Sequence, residues 1–239
     1  MKTKIAVVTG ATGGMGMEIV ADLAVDHTVY ALGRNGEQLS TLAGISGVVA
    51  VESDIVKDVL GGGGVDKLKN LDRVDTLVHA AAVARNSTVE AGSVAEWRAH
   101  MDLNVIVPAE LTRQLLPALR AASGHVVFIN SGAGNGPHPG NTIYAASKHA
   151  LRGLADAFRK EEANGGVRVT TVSPGPTDTP MLRGLMDADG KGGNDYDPAK
   201  YIEPVEVAKA IRFVIDAGDT TQITNVDVRP RVELADRTK

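Results

Sequence analysis

Short apolar runs rich in β-branched residues recur at 5–8, 28–32, 48–51, 76–79, 125–129, 167–172 and 223–228. Their continuous rather than alternating character suits strands buried on both faces of a parallel sheet. Helical patterns fill most of the gaps: 16–23 after the first run, 94–119 before the fifth, 145–163 before the sixth and 204–217 before the seventh. Strands that alternate with helices predict an open α/β sheet with right-handed crossovers. No linker-like break interrupts the rhythm, so residues 1–239 are read as one domain of about seven strands, doubly wound, with helices on both faces.

Two stretches depart from the rhythm. "GGGG" at 61–64 lies where a crossover helix belongs, so that helix is expected to be short or replaced by a flexible turn. No strand leads into it, which argues against a phosphate cradle. Residues 181–201 begin with Met181, Leu182, Leu185 and Met186 and then become rich in Gly and Asp. A long irregular stretch in a compact domain is read as a substrate loop or lid, with disorder as the alternative.

Composition removes several classes of function. With 25 basic and 29 acidic residues the formal charge is −4, unlike the basic stripe of a nucleic-acid binder. Cysteine is absent, which excludes disulfides, thiolate metal sites and a cysteine nucleophile. The six His form no His-x-x-x-His or other zinc-ligand cluster, so no metal is expected. "MKTKIAVVTG" enters a strand-like run directly, without the apolar stretch of a secretory leader, and no segment is long and apolar enough to span a membrane. These features lead to the expectation of a soluble cytoplasmic protein.

"AVVTGATGGMGMEIV" places Gly10, Gly13, Gly14 and Gly16 between the first strand and the first helix. Such a turn lets a pyrophosphate approach the N–H groups that open the helix, and no Lys-Ser or Lys-Thr follows to make it a nucleotide-triphosphate loop. A Rossmann-like dinucleotide site is therefore expected, with contacts from Gly10, Thr12, Gly14, Met15 and Gly16. The spacing fits both Thr-Gly-x-x-x-Gly-x-Gly and Thr-Gly-x-x-Gly-x-x-Gly. At the end of the second run, "VYALGRN" has Gly33 where an acid usually meets the ribose 2′-OH, followed by Arg34 and Asn35. A guanidinium suits a 2′-phosphate, so NADP(H) is expected in preference to NAD(H).

Residues 144–148 read "YAASK". Tyr144 and Lys148 share a helix face. With the glycine turn and the strand rhythm, this run makes nearly the whole chain similar to the compact branch of the short-chain dehydrogenase/reductase family. "TGATGGMG" resembles the family's cofactor turn, and "SDI" at 53–55 the strand end that flanks adenine, here Asp54 and Ile55. "LNV" at 103–105 resembles the segment carrying the catalytic Asn, here Asn104, and "INSGAG" the strand end carrying the catalytic Ser, here Ser131. "SPGPTDT" resembles the segment along the nicotinamide, which implies contacts from Pro174, Gly175, Thr177 and Thr179. Ser131 precedes Tyr144 by thirteen residues, the spacing of compact members.

The resemblance implies a hydride-transferring oxidoreductase acting on a carbonyl/alcohol pair. Tyr144 would be the acid/base, Lys148 would bind the ribose and tune Tyr144, and Ser131 would polarise the substrate oxygen. Asn104 would hold a relay water, although a mid-helix Asn is also often merely exposed. A free tyrosine has a pKa near 10, and lowering it by three units takes about 4 kcal/mol, part of it from a neighbouring ammonium. Leu151, Leu154, Ala155 and Phe158 continue that helix as a core stripe, some of which a second subunit would cover in a homodimer or homotetramer. His138 in "GPHPG" is read as a loop histidine.

Two departures from the family pattern stand out. "HAAA" at 79–82 replaces Asn-Asn-Ala-Gly, so His79 must brace the sheet differently while Ala80 and Ala81 still admit a cofactor. "NVDVRPRVELADRTK" replaces the usual terminal Asp-Gly-Gly segment. The competing assignment is a dinucleotide-binding sensor or scaffold with little turnover.

Overall fold

In a computed structural model of the chain, residues 4–188 and 196–232 are described. Seven parallel strands form one sheet: β1 (Lys4–Thr9), β2 (His27–Gly33), β3 (Val48–Glu52), β4 (Thr76–His79), β5 (His125–Ile129), β6 (Arg168–Pro174) and β7 (Asn225–Val228). Their spatial order is β3-β2-β1-β4-β5-β6-β7, and the register pairs Thr9 with both Leu32 and His79. Strand order therefore reverses between β1 and β4, the point where open α/β sheets part at their carboxyl ends and take ligands.

Each face of the sheet carries its own apolar layer because successive side chains point to opposite sides. Along β1, Val7 joins Leu111, Phe128 and Leu151 on one face. Ala6 and Val8 join Ile19, Val127 and Ile211 on the other. The helices are α1 (Gly14–Leu23), α2 (Gly36–Ala43), α3 (Ile55–Leu60), α4 (Val94–Met101), α5 (Val107–Ala122), α6 (Thr142–Glu161), α7 (Pro180–Ala188) and α8 (Pro204–Ile215). The stripe Leu151, Ala155 and Phe158 of α6 is buried in the first layer, with Leu154 packed against it.

Three elements differ from the sequence expectation. The α2 segment carries too few apolar residues to declare itself, and its N-terminus is set by Asn35, whose side chain accepts from Gln38 N at 3.1 Å. The expected helix 94–119 is divided into α4 and α5 by a π turn, Asp102–Ile106. Pro108 explains the break: it has no N–H to return to the Asn104 carbonyl, and its ring would collide with that carbonyl in a regular α turn. The expected loop 181–201 starts with α7. Pro180 suits its first turn, and the Thr179 hydroxyl accepts from Leu182 N at 3.2 Å as a cap. Its middle, 189–195, lies outside the described residues. The short helix at "GGGG" is as expected: α3 is six residues long and stops at Gly61.

Candidate active site

The glycine turn is shaped by two close approaches. Gly10 has φ +64°, and a Cβ there would sit 2.7 Å from the Ala81 backbone. A Cβ on Gly16 would run into the Gly10 carbonyl. Gly10 and Gly16 belong to both spacings allowed by the sequence, so the main steric demand does not separate them. Gly14 faces Thr179, whose Cγ2 would be 3.0 Å from an added Cβ. Helix α1 has no side-chain cap and no acid in its first turn, which leaves its leading N–H groups suited to an anion. The Met15 side chain packs on the apolar layer beneath.

From this turn a cleft of about 320 Å³ runs over the β1/β4 seam, lined by Gly10, Thr12, Arg34, Asp54, Ala80 and Met181 among others. Asn35 and Ile55 also line it, although Asn35 and Asp54 serve in addition as caps of α2 and α3. Arg34 is exposed at its edge. The floor is held by Thr9. Its hydroxyl accepts from Ala80 N and Ala81 N, each at 3.2 Å, and lies 3.5 Å from the Val78 carbonyl it donates to. His79 braces in another way: it is buried, stacks on Phe128 at 5.0 Å and pairs Nε2 with the Thr112 hydroxyl at 2.9 Å. Burial pushes its pKa down to about 3, so the ring is neutral. The uncapped helix end, the small-residue floor and a peripheral cation together fit a dinucleotide carrying several phosphates.

Ser131 follows β5 in extended conformation and accepts from Ala133 N at 3.2 Å. Ser131 lies close enough to the Tyr144 phenol to favour its ionised form, although the two arise from different elements. Lys148 is 2% exposed, donates from Nζ to the Ile129 carbonyl at 2.9 Å and lies 5.7 Å from the Tyr144 ring centre. Burial lowers its pKa to about 7. Burial also raises the Tyr144 phenol above its ordinary value, and Ser131 opposes this. The expected lowering is thus not seen in the protein alone, because burial outweighs the opposing effect of Ser131.

Asn104 is 1% exposed rather than a surface residue. The π turn swings its amide inward, where it accepts from Val83 N at 2.9 Å and donates to the Val83 carbonyl at 2.9 Å and the Ser147 hydroxyl at 3.0 Å. Ser147 in turn donates to the Tyr144 carbonyl at 2.8 Å. Sequence reading missed Ser147, although it lies inside "YAASK", because its partners come from other elements.

Pro174 ends β6, and Gly175 N donates to the Val228 carbonyl at 2.7 Å. The Thr177 hydroxyl donates to the Gly175 carbonyl at 3.0 Å, and that of Thr179 to the Thr177 carbonyl at 3.3 Å. Both threonines are buried, and Thr179 lies beside the glycine turn. His138 is an exposed loop residue paired with Asn141. Among the described residues no His, Asp or Glu cluster could hold a metal ion, and no helix is long and apolar enough to cross a membrane.

A seven-stranded parallel sheet with this cleft at its reversal point is a dinucleotide-binding architecture. Residues 4–190 match the family model for short chain dehydrogenase, and the chain belongs to that family of oxidoreductases. A protein from Corynebacterium glutamicum assigned to the short-chain dehydrogenases/reductases is 65% identical, with TM-score 0.75 over 96% of this chain and 100% of that one. The closed form of a serine dehydrogenase complexed with NADP+ shares 26% identity and TM-score 0.81, over 94% of each chain. An uncharacterised oxidoreductase of Staphylococcus saprophyticus is 31% identical over 96% of this chain and 98% of its own.

Proposed function

We propose that this oxidoreductase uses NADP(H) and moves hydride between the nicotinamide and a carbonyl/alcohol substrate, with Tyr144 as the proton donor and acceptor. The observation that carries this is the meeting of Ser131, Tyr144 and Lys148 at the carboxyl end of β5, next to the cleft. Gly10, Thr12, Gly14, Met15 and Gly16 would hold the pyrophosphate, with Arg34 and Asn35 at the adenosine 2′-phosphate. Asp54, Ile55, Ala80 and Ala81 would flank the adenosine half, and Pro174, Gly175, Thr177 and Thr179 the nicotinamide half. The bound cofactor supplies or accepts the hydride.

In reduction, the Ser131 hydroxyl donates to the substrate oxygen where negative charge develops. Tyr144 then delivers its proton to that oxygen, and its raised pKa keeps the phenol protonated for this step at neutral pH. In oxidation the phenol must lose its proton first, so positive charge from Lys148 and the oxidised nicotinamide has to outweigh burial. Lys148 would reach the ribose hydroxyls, and Asn104 would hold the backbone at Val83 and the start of a proton path toward solvent. Helix α7 and residues 196–201 would wall the substrate space, with Met181 facing the cleft. The NADP-complexed serine dehydrogenase supports the cofactor assignment by likeness. We also read the protein as a cytoplasmic homo-oligomer, in keeping with exposed Val94 and Ile106 on the α4–α5 arm.

Mixing the protein with NADPH and a panel of ketones, aldehydes and oxo acids tests the reading. Tyr144→Phe is expected to lower turnover by roughly 10²–10⁴-fold while NADPH still binds. NADPH binding without oxidation of NADPH by any of the panel would point to a sensor instead. An Arg34→Ala protein that kept its preference for NADPH over NADH would remove the 2′-phosphate assignment.

A further inference from the structure

We infer that Gln38 helps to select the cofactor: its side-chain amide donates to the adenosine 2′-phosphate beside Arg34. The inference rests on the NADP(H) reading above and deepens it by naming a second side-chain donor for that phosphate.

The placement follows from the way β2 hands over to α2. Gly33 ends β2, and Arg34 and Asn35 turn the corner before α2 begins at Gly36. Asn35 Oδ1 accepts from Gln38 N at 3.1 Å, and Leu39 N donates to the Asn35 carbonyl at 2.9 Å. Buried Leu39 and Leu42 fix the face that α2 turns inward. With the first turn held in this way, Gln38 lies on the same cleft wall as Thr12, Gly33 and Arg34. Glu37, the acid of that turn, is exposed and does not line the cleft.

Both side chains are open to a ligand. Arg34 is exposed and Gln38 partly buried, and among the described residues neither the guanidinium nor the Gln38 amide is engaged by another group of the protein. Asn35 differs, because its amide oxygen is committed to the cap of α2. Its part at the phosphate is therefore to fix the corner that presents Arg34 and Gln38. Among the described residues that line the cleft, Asp54 is the one carboxylate, and it is turned to the start of α3, where it accepts from Lys57 N at 3.5 Å.

The chemistry matches a phosphate monoester. Such a group carries a charge of about −1.5 to −2 at neutral pH and offers three acceptor oxygens. A guanidinium fork covers two of them. The neutral amide of Gln38 supplies an N–H for the third without adding a competing charge. A ribose 2′-hydroxyl is uncharged and gives this pair far less to hold.

The test uses two fragments that differ only in the 2′-phosphate, 2′,5′-ADP and 5′-AMP, titrated calorimetrically into the wild type, Gln38→Ala, Gln38→Glu and Arg34→Ala. Losing a hydrogen bond to a charged group corresponds to roughly a 10–100-fold change in Kd. Gln38→Ala is therefore expected to weaken 2′,5′-ADP by about tenfold or more and to leave 5′-AMP unchanged. Gln38→Glu sets a carboxylate against the phosphate and should weaken 2′,5′-ADP further, bringing the ratio of the two affinities toward one. A merely structural glutamine predicts otherwise. Glutamate in a first turn suits the helix dipole and keeps α2 folded, so the ratio would stay at its wild-type value, which overturns the inference. A loss shared equally by both fragments overturns it as well. Discrimination lost in Arg34→Ala but kept in both Gln38 variants refutes the role of Gln38 alone. A wild type that binds the two fragments equally refutes it together with the NADP(H) reading.

Discussion

Thr12 fills the space that a side chain at residue 33 would need. A Cβ on Gly33 would lie 2.5 Å from Thr12 Cγ2 and 2.6 Å from its Oγ1, and both residues line the same cleft. The missing acid at the end of β2 is therefore enforced by packing from the glycine turn. We predict that Gly33→Asp alone costs about 1–3 kcal/mol through overpacking and brings no useful NADH activity. Adding Thr12→Gly should restore the melting temperature and move the NADPH/NADH ratio of kcat/KM toward NADH. A stable Gly33→Asp single variant that uses NADH well would show that Thr12 imposes no such limit.

Lys148 carries a stability signature of its own. Its folded pKa of about 7 lies well below that of an unfolded lysine. Between about pH 7 and 10 the unfolded chain therefore holds a proton that the folded chain does not. Stability from this group rises with pH across that window, and below it the fold bears the full cost of a buried ammonium. Lys148→Met should raise the melting temperature of the ligand-free protein most near pH 6, with the gain shrinking toward pH 10. Scans at three pH values check this, and a gain independent of pH contradicts it.

The buried histidines act in acid. His79 and His125 are both pushed down to about 3 by burial, His125 with a further contribution from Arg168. Between about pH 3 and 6.5 the unfolded chain binds protons that the folded chain refuses, so stability is lost as pH falls through that range. His79→Asn removes one such proton. Denaturant titrations from pH 4 to 6 should show the slope of unfolding free energy reduced by about 1.4 kcal/mol per pH unit.

Asn104 closes three hydrogen bonds inside the π turn, two to the Val83 backbone and one to Ser147. Asn104→Ala leaves those groups buried without partners, at about 1–3 kcal/mol for each group that water cannot reach. We expect a lower urea midpoint with an unchanged m-value, together with reduced turnover. An activity loss with no change in midpoint would mean that the residue acts at the substrate alone.

Much of the fold could be read from β-branched runs, because strands buried on both faces leave a continuous apolar trace, as at 125–129. Helix α7 escaped because Gly and Asp downstream outweighed the helical spacing of Met181, Leu182, Leu185 and Met186. The π turn needed Pro108 to be weighed against the carbonyl four residues earlier. At the site, Tyr144, Lys148 and the glycines stand out as local motifs. The Asn104–Ser147 and Thr9–Ala81 relationships do not, since each joins elements far apart in sequence.

The Thr9 hydroxyl fastens Ala80 and Ala81 exactly where β1 and β4 part company, stitching the seam with a side chain instead of further backbone pairing. The shape of the cleft floor is thus settled when the sheet forms. An arriving ligand therefore meets a floor whose backbone at Ala80 and Ala81 is already tied to β1. Exchanging Thr9 for valine, equal in bulk but mute as a hydrogen-bond partner, would turn that fixed floor into one that each ligand has to set anew.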